Sequence, residues 1–301
     1  MALKDLLVVV EPGDPVGSQV DVAVALAARH AAHLAGLCVV PPLTLSEAGL
    51  PWSGSAIEAE ALEQVQASVR GEHTAAVQRL EAAFRKAAAD LVTPVEWRVV
   101  DGRPGDMAPL HARYADLTVM RQVDPRHPTP ASDGLVEAVM LGSGRPALVV
   151  PYAGRFAAIG RCIVVAWNAS REAARALNDA MPLLERADKV TVLAVNPGRG
   201  AGGDDEPPPT ASAVFGIGGQ GSWPAADIAH HLARHAVKAE ASYTISDDID
   251  VGNAILSRAA DLGADLIVMG GYGHSRAREF VLGGATRTIL ESMTVPVLMS
   301  H

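Results

Sequence analysis

An internal repeat constrains this chain more than any other feature, because a duplicated pattern is best read as a duplicated fold. Each half opens with an apolar β run, Leu6-Leu7-Val8-Val9-Val10 and Cys162-Ile163-Val164-Val165-Ala166. A turn follows, then a helix with apolar positions at steps of three and four: Val20, Val24, Ala27, Ala31 and Leu34 in the first half, Ala173, Leu177, Ala180, Leu184 and Ala187 in the second. The next strands are Leu37–Val40 and Val190–Val195. Further on the match is nearly literal. Ala115-Asp116-Leu117-Thr118-Val119-Met120 pairs with Ala264-Asp265-Leu266-Ile267-Val268-Met269, and Arg145–Val150 pairs with Val295–Ser300. Helical segments, Val136–Leu141 and Thr286–Glu291, lie between these pairs.

Strands that alternate with helices need crossover connections, so the pattern predicts a parallel sheet covered on both faces. The 301 residues are enough for two ordinary domains, and 49% of them are hydrophobic while only 4% are aromatic. Ala, Val and Leu must therefore fill the cores, as they do in buried parallel sheets. Pro151–Gly160, which carries a Pro, two Gly and no periodicity, marks the boundary. The expected division is residues 1–152, a linker at 153–160, and residues 161–301. One long segment, Asn196–Pro224, breaks the symmetry with Gly and Pro runs and reads as a loop; its counterpart, Glu58–Asp90, reads as one long helix.

The formal net charge of −9 disfavours nucleic acid and anionic membranes as partners. The opening apolar run is too short for a secretory signal, and no stretch reaches the ~18 apolar residues of a membrane span. Cys38 and Cys162 sit in apolar runs and read as buried, reduced thiols. A cytoplasmic location is the expectation.

One loop carries chemistry. The strand Leu266–Met269 runs into Gly270-Gly271-Tyr272-Gly273, and Gly283-Gly284-Ala285-Thr286 opens a helix. Glycine lets a backbone approach a ligand closely, and a helix start offers free N–H groups and partial positive charge to a phosphate. Open α/β sheets place ligands at this end of their strands. By itself this is equally a flexible turn before a helix. The spacing G-x2-G-x9-G at Gly270, Gly273 and Gly283 resembles the nucleotide loop of the universal stress protein family. The turn Ala166-Trp167-Asn168-Ala169-Ser170 and the ending Thr294-Val295-Pro296-Val297-Leu298 are similar to the same family.

That resemblance implies two tandem Rossmann-like, doubly wound α/β domains, each with a mainly parallel five-stranded sheet. It implies an ATP or AMP site, and pairing as a homodimer or as a pseudo-dimer of the two halves. The implied contacts are Asn168 toward the nucleoside, where binding members carry Asp, and the backbone near Val195 toward adenine. Gly270, Gly273, Gly283, Gly284, Ala285 and Thr286 would hold phosphate; Gly284 stands where the family usually has Ser or Thr. Whether Mg²⁺ takes part is left open. In the first half Arg121–Pro130 has no glycine and three prolines, so that half is expected to bind no nucleotide.

Other residues read more plainly. His231 and His235 stand four apart in the helical stretch Asp227–Val237, with His230 adjoining; the spacing would suit zinc, but the sequence positions no carboxylate or cysteine partner, so a solvated face is the reading. Trp167 is a packing residue or a stacking platform. His274, Arg276 and Arg278 either reach phosphates or hold the loop through Glu279. No G-x-S-x-G elbow, P-loop or H-E-x-x-H motif is present. Three functions follow: a stress-response protein that binds an adenine nucleotide, a dimerisation or interaction scaffold, and a weak ATPase.

Overall fold

The computed structural model describes residues 2–12, 17–41, 56–126, 134–156, 158–196, 224–246, 248–272 and 284–301, with backbone alone for 56–70 and 224. The first half runs β1 (Asp5–Val10), α1 (Ser18–His30), β2 (His33–Val40), α2 (Ala56–Ala87), β3 (Val95–Asp101), α3 (Pro104–Ala112), β4 (Leu117–Arg121), α4 (Leu135–Ser143) and β5 (Ala147–Val150). The second runs β6 (Cys162–Ala166), α5 (Arg171–Asp179), α6 (Met181–Leu184), β7 (Lys189–Val195), α7 (Pro224–Arg234), β8 (Ala239–Thr244), α8 (Val251–Asp261), β9 (Leu266–Gly270), α9 (Gly284–Ser292) and β10 (Val297–Ser300).

The expectation of two separate five-stranded sheets is corrected. All strands form one ten-stranded sheet in the order β3-β2-β1-β4-β5-β10-β9-β6-β7-β8. Within each half every pairing is parallel, and the halves join through the antiparallel pair β5·β10. The physical cause is the repeat itself. Two like open sheets each end on an apolar strand, β5 and β10, whose unpaired edge would otherwise face solvent. Val297 pairs with Val149, Leu298 with Leu148 and Met299 with Ala147, so the ladder is centred on the equivalent leucines. An approximate two-fold axis passes there. It passes also between Arg29 and Arg186, which stand 157 residues apart and exchange hydrogen bonds: each guanidinium donates to the other's backbone carbonyl. Arg29 donates as well to the Ile159 carbonyl at 2.9 Å, tying the Pro151–Gly160 stretch to α1.

The near-literal match of the repeats has a shared structural use. Asp116 Oδ2 accepts from the Lys4 and Asp5 amides at 2.7 and 3.1 Å, and Asp265 Oδ1 accepts from Gly160, Arg161 and Cys162 at 2.9–3.1 Å. In each half one aspartate thus fixes where the first strand enters beside the fourth. The central strands are buried on both faces, as their unbroken apolar runs require, whereas β3 and β8 at the edges alternate.

Three sequence expectations shift in detail. Leu34 belongs to β2 rather than to the first helix, because Ala31 turns left-handed (φ 51°) and caps α1. The helix predicted through Ala187 breaks at Ala180, where Pro182 of α6 has no N–H to continue the ladder. Cys162 is half-buried rather than buried. The long helix of the first half is present as α2. Among the described residues no helix is long and apolar enough to cross a membrane.

Candidate functional site

In the second half the chain runs from β6 outward to β7 and β8 on one side, and β9 and β10 lie on the other. The point where strand order reverses, at the carboxyl ends, is where such sheets open a crevice. A cavity of about 130 Å³ lies there. It brings together Asn168 from the turn after β6, Val195 at the end of β7, Gly270 at the end of β9, and Gly284, Ala285 and Thr286 in the first turn of α9. Six of the eight sequence-predicted residues therefore line one space. Gly273 and Gly283, with His274, Arg276 and Arg278, lie outside the described residues, as does most of the Asn196–Pro224 stretch.

Local structure explains why these groups converge. Ser170 caps α5 by accepting from the Ala173 amide at 3.1 Å, and Asn168 Oδ1 accepts from the Ser170 amide at 3.1 Å. The carbonyl oxygen of the Asn168 side chain is thereby engaged in the turn, and its NH₂ is left as a donor. Gly270 is needed for a different reason from the one its place in the motif implied. A Cβ there would lie 2.5 Å from the Ala173 nitrogen and 2.6 Å from the Glu172 carbonyl carbon, so only glycine lets the start of α5 lie against the end of β9. Gly270→Ala is accordingly expected to destabilise the fold by about 1–3 kcal/mol, checked by urea unfolding, since the obstruction is backbone and cannot rotate away.

Asp250 fixes the other wall. Its carboxylate accepts from the Gly252 and Asn253 amides at 2.9 and 3.2 Å and caps α8. Burial alone would raise its pKa, but the Asn253 and Gly252 amides and the Asn253 and Thr288 side chains outweigh it and hold the carboxyl below its usual range. Gly252, in the first turn of α8, lies against α9: a Cβ there would sit 2.7 Å from Thr288 Cβ. Buried Glu172 behaves alike: burial works against the charge, and hydrogen bonds from Arg171, its own amide and Ser170 prevail, so its pKa is lowered.

Thr286 is buried, and its Oγ1 accepts from the Tyr272 amide at 3.4 Å, which leaves the hydroxyl proton free to donate. The described lining contains no charged side chain. Its polar groups are the Asn168 amide, the Thr286 hydroxyl and the N–H groups that open α9. Its apolar part is Ala166, Leu193, Val251, Ile255 and Met269, with Trp167, which is half-buried, packs on the core and also faces the cavity. The site suits an anion joined to a flat or apolar body.

Sequence reasoning missed the α8 side, Val251 and Ile255, although Asp250 before an apolar-periodic run was the available signal. It also missed Asn196. This residue (φ 47°) holds Ser246 at both ends, Nδ2 donating to its carbonyl at 2.9 Å and Oδ1 accepting from its amide at 2.7 Å, and so fixes the chain just past Val195. The His231 and His235 rings meet at a tilt of 54° with centroids 4.8 Å apart, and no cluster of three metal-binding side chains occurs among the described residues.

The repeat gives each lining residue a counterpart in the first half. Glu11 stands at the Asn168 position, Arg121 at Gly270, and Gly134, Leu135 and Val136 at Gly284, Ala285 and Thr286. An acid at the turn and buried Leu135 and Val136 at the helix start replace the donors an anion needs.

Residues 161–301 match the Universal stress protein family. A universal stress protein from Archaeoglobus fulgidus DSM 4304 is similar in structure over 98% of this chain and 97% of its own, with 12% identity and a TM-score of 0.66. A functionally unknown protein from Pseudomonas aeruginosa PAO1 is similar over 99% and 92%, with 15% identity and a TM-score of 0.52. At these identities the likeness is one of fold. No curated protein matches the chain.

Proposed function

Because residues 161–301 match the universal stress protein family and the first half repeats their fold, we propose that the second half binds an adenine nucleotide, ATP or AMP, in the crevice at the ends of β6, β7 and β9. The observation that carries the reading is the convergence of Asn168, Val195, Gly270 and Gly284–Thr286 on one cavity. The first turn of α9 receives phosphate through its free N–H groups and the Thr286 hydroxyl. The apolar wall takes the base near Val195, and the Asn168 amide donates to the sugar or a phosphate oxygen. With no lysine or carboxylate among the described lining residues, the groups named here serve binding rather than phosphoryl transfer. The first half, with Glu11 and Arg121 at the equivalent places, serves as structural support.

Gly284→Asp separates ligand binding from folding. A side chain at Gly284 meets nothing within 4 Å, and an acid at a helix start is favourable to the helix. The variant should unfold at or slightly above the wild-type temperature. Wild type with ATP or AMP at about 100 times the dissociation constant should gain about 2.7 kcal/mol, and Gly284→Asp should lose that gain, since its carboxylate occupies the phosphate end. A wild-type protein indifferent to millimolar ATP and AMP would refute nucleotide binding and favour the scaffold reading, in which the continuous ten-stranded sheet is the functional feature.

A further inference from the structure

Helix α7 carries a side-chain pair that the crevice does not use. Its apolar residues are turned inward: Ala225 and Leu232 are buried in the core, Ile228 packs against it, and buried Val237 follows just past the helix. His231 and His235 stand four apart, which puts both on one face of the last turn. The backbone beneath them is fixed. The His235 and Val237 amides both donate to the Leu232 carbonyl, at 2.9 and 3.1 Å, and Ala236 closes the turn in the left-handed region (φ 61°). His231 is half-buried and His235 exposed, so the pair is anchored yet open to solvent.

With centroids 4.8 Å apart and a tilt of 54°, the two rings are in contact without lying face to face. An imidazole bound through one nitrogen at about 2.0–2.1 Å holds its centroid about 3.2 Å from a metal ion. Two centroids 4.8 Å apart then subtend an angle of about 97° at that ion. This is close to the right angle between neighbouring ligands of a tetragonal ion. Burial first, then His235 and Arg234, lower the His231 pKa, so its ring is a neutral ligand at pH 7. The carboxyl end of a helix favours a cation, and Asp227, one turn before His231, adds negative charge; Arg234 opposes it. No third metal-binding side chain joins the pair among the described residues, so water completes the coordination. We propose that His231 and His235 form a two-point chelate for a borderline divalent transition-metal ion, Cu²⁺ before Ni²⁺ and Zn²⁺, at the carboxyl end of α7. Imidazole nitrogen suits these ions, whereas Mg²⁺ and Ca²⁺ take oxygen. The bound ion ties His231, inside the helix, to His235, beyond its last residue, and so holds the last turn closed. The site is independent of the nucleotide reading.

The test uses the full chain, freed of metal by a chelator and titrated calorimetrically with Cu²⁺, Ni²⁺ or Zn²⁺ alone. His231→Ala, His235→Ala and the double variant are compared with His230→Ala, which removes an adjoining exposed histidine that points off that face. Wild type should show a site tighter for Cu²⁺ than for Ni²⁺ or Zn²⁺. Each single variant should weaken it about tenfold or more, and the double variant should lose no more than the worse single, because one chelate is broken in all three. His230→Ala should stay within about twofold of wild type. With free Cu²⁺ at about ten times the dissociation constant, hydrogen exchange of the His235 and Val237 amides should slow about tenfold in wild type and not in His235→Ala. A wild type without a Cu²⁺ site, or unchanged affinity in both single variants, overturns the inference. So does an equal loss in His230→Ala, or exchange in the last turn that is indifferent to Cu²⁺.

Discussion

Leu148→Ala is expected to lower the unfolding free energy by about 2–5 kcal/mol, among the largest effects of any single substitution in this chain. Leu148 is fully buried and faces Leu298 across the middle pair of the β5·β10 ladder. Shortening it removes apolar burial and leaves a cavity at the seam, where neighbouring strands are fixed on both sides and cannot close in. Because the same buried cluster contains Val8 and Leu34 from the first half and Val165 and Val192 from the second, the loss should be felt by both. Denaturant unfolding followed by hydrogen exchange reads this directly. Lowered protection in β1 and β6 together is the expected result; lowered protection in one half alone would mean that the halves fold independently and that the shared sheet contributes little.

Acid should destabilise the protein well above the range where carboxylates titrate, through His30. This histidine, at the end of α1, is 3% exposed, and neither ring nitrogen has a hydrogen-bond partner among the described residues. Burial first, then the Arg186 and Arg29 guanidinium groups, push its pKa from 6.5 down to about 4. The unfolded chain therefore binds the proton at higher pH than the folded one. Stability is complete above the unfolded value and is lost as pH falls from 6.5 toward 4, by about 3 kcal/mol in full. About 2 kcal/mol of this should already be gone at pH 5, before most carboxylates respond. His30→Leu, similar in size and unable to protonate, should flatten that limb of the stability–pH curve. Equal slopes in the two proteins between pH 7 and 5 would show that the folded state accommodates the charge by hydrating or moving the ring.

Much of this was legible in the residues. Apolar runs of four to eight, punctuated by helical periodicity, specify parallel strands and crossover helices because both signals are local. The duplication was legible because it is a comparison of the chain with itself. The site was legible to the extent that its glycines and helix start follow one strand in sequence, and six of the named residues do line one crevice. The Val251 and Ile255 wall was not, because those residues come from a different crossover and only the sheet order brings them beside Gly270.

What the sequence determined, then, was the composition of each half: which segments are strands, which are helices, and where a glycine-bearing turn meets a helix start, all of them consequences of patterns within a few residues. The tertiary structure decided how the halves meet. Nothing in ALVV or VLMS announces that the two edges pair antiparallel about Leu148 and Leu298, since any apolar edge strand offers the same unpaired backbone groups. It decided also that Gly270 is glycine to admit the backbone of α5, and that Gly271 lies against Met140 of α4 across the seam. Such relations depend on the distance between segments far apart in the chain, and only the folded arrangement fixes that distance.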